Sequence, residues 1–497
     1  MNKRVKEWFK DKHNITFIAI LIAAFAIRLY YFYLTKNQAL WWDEAEYALR
    51  AKAFAFGTPL SGWAPEREVI VPFLFSLILA IGGNEIVLRI IQVLVSTGTV
   101  AMTYLLISKM SNKNYGLVAT FGMAFFWLHI FFTERVLLYL WAPLLFLVIV
   151  YFFYTGYVKE ESRAKLIWFG IFSAVGLSTY FSIGFLLAGI LVYVIASEGF
   201  SALKSRKVWT SLGVFFLALL PHMIYSQITY GFPIPRLAVG YQATTGESGA
   251  GLSGLLAYVN MFPSRVGMIF SVLCLLGILY FLFNLALGFG IKGHLKKNSE
   301  WFLLFIAFFV PFALYTLYGV VGGSATFYDA FILPVFPFAF AFAGLSVVKI
   351  YEWFAKYNKV VVGLFIFILM VFQAYYGISN SDDTIKAKIS SYDSVKEAGI
   401  WINEHTEKGD VVISRSRPQN TYYSERETYG YPENESDMTK LIEEKKPKFI
   451  IDSVWESRMP WADLYFYENN NTLVPVMAYF LDKEKKQPSL IIYEARY

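Results

Sequence analysis

Trp41-Trp42-Asp43-Glu44-Ala45-Glu46-Tyr47 decides the reading of this chain. Three carboxylates crowd into seven residues, directly after the apolar run 15–34, which is long enough to cross a bilayer. Carboxylates held at that depth are costly to desolvate unless they have a partner or a task. Burial and like-charge neighbours raise a carboxylate's proton affinity, which suits a general base. The same residues also read as a helix start, with Asp43 capping a helix over Glu44–Phe56 and Glu44 and Glu46 in its first turn. The two readings are compatible.

Composition agrees with a membrane setting. The 497 residues are 57% hydrophobic, 19% aromatic and only 16% charged, against about 25% charged in a soluble domain. A soluble enzyme, a disordered chain, a collagen and a coiled coil are all excluded. The single cysteine, Cys274, rules out an intrachain disulfide and a cysteine-rich metal site.

Charge is uneven along the chain. Residues 380–497 hold 37 of the 81 charges, with a net of −5, and residues 1–379 carry a net of +12. The overall +7 is therefore no nucleic-acid footprint. Apolar runs predict eleven spans, at 15–34, 86–108, 115–132, 136–155, 166–180, 181–198, 208–227, 264–288, 301–320, 329–348 and 360–378. Alternate loops are rich in Lys and Arg, as in Lys159, Arg163 and Lys165, or Lys292, Lys296 and Lys297. The positive-inside rule then puts the N-terminus in the cytoplasm and residues 380–497 outside. The first span reads as a signal anchor.

Two loops stand out on the outer side. Residues 35–85 contain Val69–Ile81, apolar but too short to cross, which is expected to lie in the interface. Residues 228–263 are rich in Gly, Pro, Ser and Thr. The tail reads as a small α/β domain, with helices at Asp393–His405 and Ser436–Lys446. Its strands are expected at Val411–Ser414, Phe449–Asp452, Leu473–Leu481 and Ser489–Glu494, as a parallel sheet with an antiparallel edge. The expected organisation is a membrane domain over 1–379 and an extracytoplasmic α/β domain over 380–497. Tyr422, Tyr423, Tyr429 and Tyr431, near Arg415, Arg417 and Arg426, form an aromatic and basic cluster that suits sugar and phosphate contact and is expected to dock the tail against the membrane part.

Trp42-Asp43-Glu44-Ala45-Glu46-Tyr47-Ala48 resembles the Asp-Glu-Ala-x-Tyr-Ala motif of polytopic GT-C glycosyltransferases, in the protein O-mannosyltransferase and lipid A aminoarabinose transferase branches. Other pieces follow in order: Arg28 in the first span, Gly83-Asn84-Glu85-Ile86-Val87-Leu88-Arg89, Thr133-Glu134-Arg135, and Ile332-Leu333-Pro334-Val335-Phe336-Pro337. The tail resembles the small outer domain of archaeal and bacterial relatives.

The resemblance implies an α-helical polytopic GT-C membrane protein of the plasma membrane. It implies an enzyme that moves a sugar from a polyprenyl-phosphate carrier, dolichyl or undecaprenyl, to a hydroxyl on a protein, lipid or glycan. Asp43 is the expected base, with Glu44 beside it. Arg265, Arg236, Arg67, Arg135 and Tyr328 are the expected donor-phosphate contacts, since a leaving phosphate needs cations. Glu46, Trp42, Glu85 and Arg89 are the expected acceptor contacts. The family's Arg and Tyr before Leu-Pro-x-x-Pro are Ala330 and Phe331 here, so another group must supply those contacts. No His cluster forms a ligand set. Asp43, Glu44 and Glu46 offer oxygen ligands for a divalent cation without requiring one. Two other classes stay open: a transporter, disfavoured by spans almost free of charge, and a GT-C-fold assembly protein without catalysis.

Overall fold

The structure is a computed structural model. It describes residues 8–63, 67–234, 251–288, 298–322, 328–457, 459–481, 484 and 486–497. The chain divides into two compact units. One comprises residues 1–33, 90–134 and 138–386. The other comprises residues 34–89, 135–137 and 387–497.

The first unit is helical. Among the described residues, eight helices are long and apolar enough to cross a membrane, or nine if one bent pair counts as a span. They include Lys12–Thr35, Glu85–Met110, Leu138–Lys159, Ile183–Lys204, Arg206–Tyr230, Met268–Leu287 and Ser299–Val321. The chain is thus an integral membrane protein with multiple spans. The count differs from the eleven expected from apolar runs at two places besides that bent pair. The helix Arg163–Thr179 has 17 residues, at the short end of the lengths that cross a bilayer. The runs 329–348 and 360–378 fall on either side of a break inside Leu333–Lys386, so this stretch is two helices, each long enough to cross. Asn358 breaks its long helix with φ −156° and ψ 105°. The Asn358 side chain then accepts from the backbone N–H groups of Val360 and Val361, restarting the helix as an N-cap does.

Lys113–Ala124 and Trp127–Thr133 meet at a bend of 56°. A break there frees carbonyls that lipid cannot satisfy. Arg28 answers them. It lies in Lys12–Thr35, is fully buried, and donates to the carbonyls of Ala124 at 3.0 Å and Met123 at 3.3 Å. Its Nε donates to Ser96 at 2.7 Å, and Nη2 lies 3.1 Å from His129 Nδ1. The charge in the first span therefore caps a broken helix.

Glycines let the helices of this unit approach closely, as small residues do in membranes. A Cβ on Gly277 would stand 2.0 Å from the carbonyl oxygen of Phe342, and one on Gly377 would stand 1.8 Å from that of Phe125.

The second unit contains a five-stranded sheet: β1 (Val411–Ser414), β2 (Glu427–Tyr429), β3 (Phe449–Ser453), β4 (Leu473–Phe480) and β5 (Pro488–Ala495). Its order is β2-β1-β3-β5-β4. β1 runs parallel to β2 and β3, and β5 is antiparallel to β3 and β4. Side chains alternate across the sheet. Val412 and Ile451 pack under helix Asp393–His405 with Val395, Ala398 and Ile402. Ile413 and Ile450 pack on the other face with Met438, Tyr465 and Phe466.

In the same unit the tail packs on the first loop. Leu40 donates its N–H to the Tyr423 hydroxyl at 2.9 Å, and Lys52 pairs with Glu425 at 2.7 Å while lying over the Tyr422 ring. At Gly62, φ is +93° and a Cβ would stand 3.0 Å from the backbone nitrogen of Pro418, so only glycine fits this contact. Burial lifts the Tyr422 and Tyr423 hydroxyls well above the usual phenol range.

Candidate active site

The decisive stretch folds as the start of helix Trp42–Phe56. Asp43 does not cap it, contrary to the expectation above. Trp41 occupies the cap position, and Glu44 reaches back to accept from the Trp41 N–H at 3.0 Å. Asp43 sits in the first turn, where its side chain pairs with Arg67. The helix stops at Gly57, whose φ of +67° and N–H to the Ala53 carbonyl form a left-handed cap.

One helical register sends the three carboxylates to two destinations. Glu44 is fully buried. Its Oε1 accepts from the Val136 N–H at 2.8 Å and lies 3.5 Å from Arg89. Its Oε2 lies 3.5 Å from Arg135. Arg135 stacks its guanidinium 3.6 Å above the Trp41 ring, and Arg89 donates to the Gln38 carbonyl at 3.0 Å. Both arginines are essentially buried. Glu44, Arg89 and Arg135 therefore fasten three separate pieces of chain, with one carboxylate answering two buried cations.

Asp43 and Glu46 meet Arg67. Nη2 of Arg67 lies 2.8 Å from Asp43 Oδ1, its Nε contacts Glu46 Oε2, and Nη1 donates to the Tyr47 hydroxyl at 3.2 Å. Trp42 donates its indole N–H to Glu46 Oε1 at 3.1 Å. Glu46 is only 4% exposed, whereas the Asp43 side chain is 37% exposed. Of the three carboxylates, Asp43 is thus the one open to solvent. Burial opposes the charge on Arg67, but Tyr47, Asp43 and Glu46 outweigh it and raise its proton affinity. Burial also lifts the Tyr47 phenol.

Other expected site residues have partners of their own. Glu85 lies 3.7 Å from Lys396, at the foot of helix Glu85–Met110. In the helical unit, Arg265 pairs with Asp329 at 2.8 Å and lies 5.6 Å from the Trp127 ring centroid. Tyr328 is exposed and packs edge-on against Tyr139 and Phe331. Arg236 lies outside the described residues.

The acidic trio does not form a donor set for a divalent cation. Oxygens of Asp43 and Glu46 face Arg67, and those of Glu44 face two arginines and two backbone N–H groups. Among the described residues, no group of three or more His, Cys, Asp or Glu is arranged to hold a metal.

Residues 66–225 match the family model described as dolichyl-phosphate-mannose-protein mannosyltransferase. Among solved structures, ArnT from Cupriavidus metallidurans bound to undecaprenyl phosphate superimposes with a TM-score of 0.64. The alignment covers 96% of this chain and 97% of that one at 10% identity. The chain shares the fold of that protein. The archaeal oligosaccharyltransferase AglB from Archaeoglobus fulgidus, in complex with an inhibitory peptide and a dolichol-phosphate, aligns with a TM-score of 0.59. That alignment covers 90% of this chain and 70% of AglB at 12% identity. No curated protein sequence matches. The mixed sheet of the tail is likewise ArnT-like.

Proposed function

We propose that this protein transfers a sugar from a polyprenyl-phosphate carrier to an acceptor hydroxyl on the outer face of the membrane, with the N-terminus in the cytoplasm. The observation that carries the reading is the exposed Asp43 carboxylate held 2.8 Å from the Arg67 guanidinium. Together they supply the two things that the reaction needs, a base and a fixed cation.

In this reading Asp43 takes the proton of the acceptor hydroxyl as its oxygen attacks the anomeric carbon. The bond from that carbon to the phosphate oxygen breaks, and the lipid phosphate leaves with the electron pair. Arg67 is the first cation to meet that phosphate, as a planar fork suited to it. Phosphate competing for Arg67 would loosen its hold on Asp43 and free the base when donor is present. Glu46 and Tyr47 keep the guanidinium in place. Arg265 and Tyr328 are candidates for further donor contact, as is Arg236. Glu44, Arg89 and Arg135 support the helix that presents Asp43, which is a positioning role in place of the direct one expected from the motif.

The test is turnover by the purified protein with a labelled polyprenyl-phosphate sugar. Label moving to an acceptor with release of lipid phosphate supports the reading. A folded protein that binds the donor but never transfers, across a panel of donors and envelope acceptors, overturns it.

A further inference from the structure

The tail carries a groove of about 400 Å³ that nothing above uses. Its wall includes Trp455 and Tyr479, and its polar rim includes Asp393, Ser394, Glu397 and Ser390. Helix Asp393–His405 supplies the two carboxylates from its first two turns. Trp455 is held rigidly. Its indole N–H donates to Ser394 Oγ at 2.9 Å, and its ring stacks on Tyr392 at 5.1 Å and 28°. Tyr392 in turn stands 6.4 Å from Trp41, two residues before Asp43. Its φ is +66°, a strained setting for an aromatic residue that the surrounding structure must enforce. Three rings thus run from the start of the Asp43 helix to the groove, all within one compact unit.

The groove's chemistry selects its ligand. None of the described side chains lining it is basic, while Asp393 and Glu397 are acidic. A lipid phosphate finds no counter-ion there. A purely apolar ligand would desolvate the carboxylates without compensation. Vicinal hydroxyls can donate to Asp393, Glu397 and the serines, while the C–H face of a pyranose lies on the Trp455 ring. The volume is that of a ligand site and accommodates a short oligosaccharide.

We infer that this groove is a carbohydrate-binding site that holds the glycan portion of the acceptor. It rests on the glycosyltransferase reading and names the acceptor class for it.

The probes are mannotriose and chitotriose, added to the full-length protein in detergent and followed by saturation-transfer NMR. Saturable binding is expected for the wild type. Trp455→Ala should weaken it at least tenfold and Glu397→Gln severalfold, with Asp43→Asn binding like wild type. Glu397 is exposed, so Glu397→Gln keeps the test valid if Trp455→Ala fails to fold. No saturable binding by folded wild type overturns the site, as does binding that survives both substitutions. Displacement of the sugars by an extended peptide that pairs with edge strand β4 also overturns it. Transfer without trisaccharide binding removes the groove and leaves the proposed function standing. Binding without transfer from any lipid donor overturns the acceptor role.

Discussion

Arg67 Nη2 lies 2.8 Å from Asp43 Oδ1, and the same guanidinium contacts Glu46, which is almost entirely buried. The two carboxylates therefore depend on Arg67 in different ways. Asp43 can turn to water if the cation goes, whereas Glu46 cannot.

Arg67→Ala should thus have two effects. Donor affinity should fall about tenfold or more, because the charge-assisted contact to phosphate is gone. Thermal stability should also fall, by about 2–4 kcal/mol, because Glu46 is left charged and buried. Arg67→Lys should restore much of the stability and less of the donor affinity, since an ammonium lacks the planar fork. Lipid-donor titration and thermal unfolding in detergent separate the two effects.

Glu44→Ala is expected to damage folding and leave chemistry alone. It strips Arg89 and Arg135 of their shared carboxylate and leaves the Trp41 and Val136 N–H groups without an acceptor. The cost is about 3–5 kcal/mol. Turnover per folded molecule should stay close to wild type. Unchanged stability with lost turnover would return Glu44 to the reaction.

Gly377→Ala should unfold the helical unit or block its assembly, since the added carbon would stand 1.8 Å from the Phe125 carbonyl oxygen. That carbonyl belongs to backbone at the bend of a span and has little room to retreat. Gly363→Ala, in the same long helix and with open space at its Cβ position, is the control and should be neutral or slightly stabilising. Monodispersity on size exclusion distinguishes the two.

The contribution of Glu456 and Asp393 to tail stability should fall as pH rises through the acid range. Burial raises Glu456 above the usual carboxylate range, against the opposing Ser416 hydrogen bond and nearby Arg415, and burial also raises Asp393. Both groups bind protons more tightly folded than unfolded. Their stabilising contribution is therefore full below the ordinary carboxylate range and is lost as pH climbs through their raised native values. Glu456→Gln should flatten this dependence, as read from tail tryptophan fluorescence during thermal unfolding at stepped pH.

Much of this was legible in the residues. Helix Asp393–His405 and strand β1 have the ends that their patterns imply, because each carries its full apolar period between clear turn signals. Helix Arg417–Ser424 was not legible. Its Gln419, Asn420, Thr421 and Ser424 are buried polar groups, so no apolar stripe marks it. Strand β2 has three residues, too few to show alternation. At the site, the Asp43 motif announced itself by its carboxylates and its place after a span. The sorting of those carboxylates did not, because the partners of Glu44 stand at positions 89 and 135 and that of Asp43 at 67. Only folding reveals such distant pairings. Arg28 was visible as a charge in a span, but its role depends on a helix break that an uninterrupted apolar run conceals.

The central claim is that Asp43 is the base. The direct measurement is sugar transfer from a polyprenyl-phosphate donor by Asp43→Asn, alongside its donor affinity and thermal profile. The account predicts transfer reduced by about 100- to 10,000-fold, with donor binding and folding retained. Turnover equal to wild type in a folded Asp43→Asn protein would contradict it.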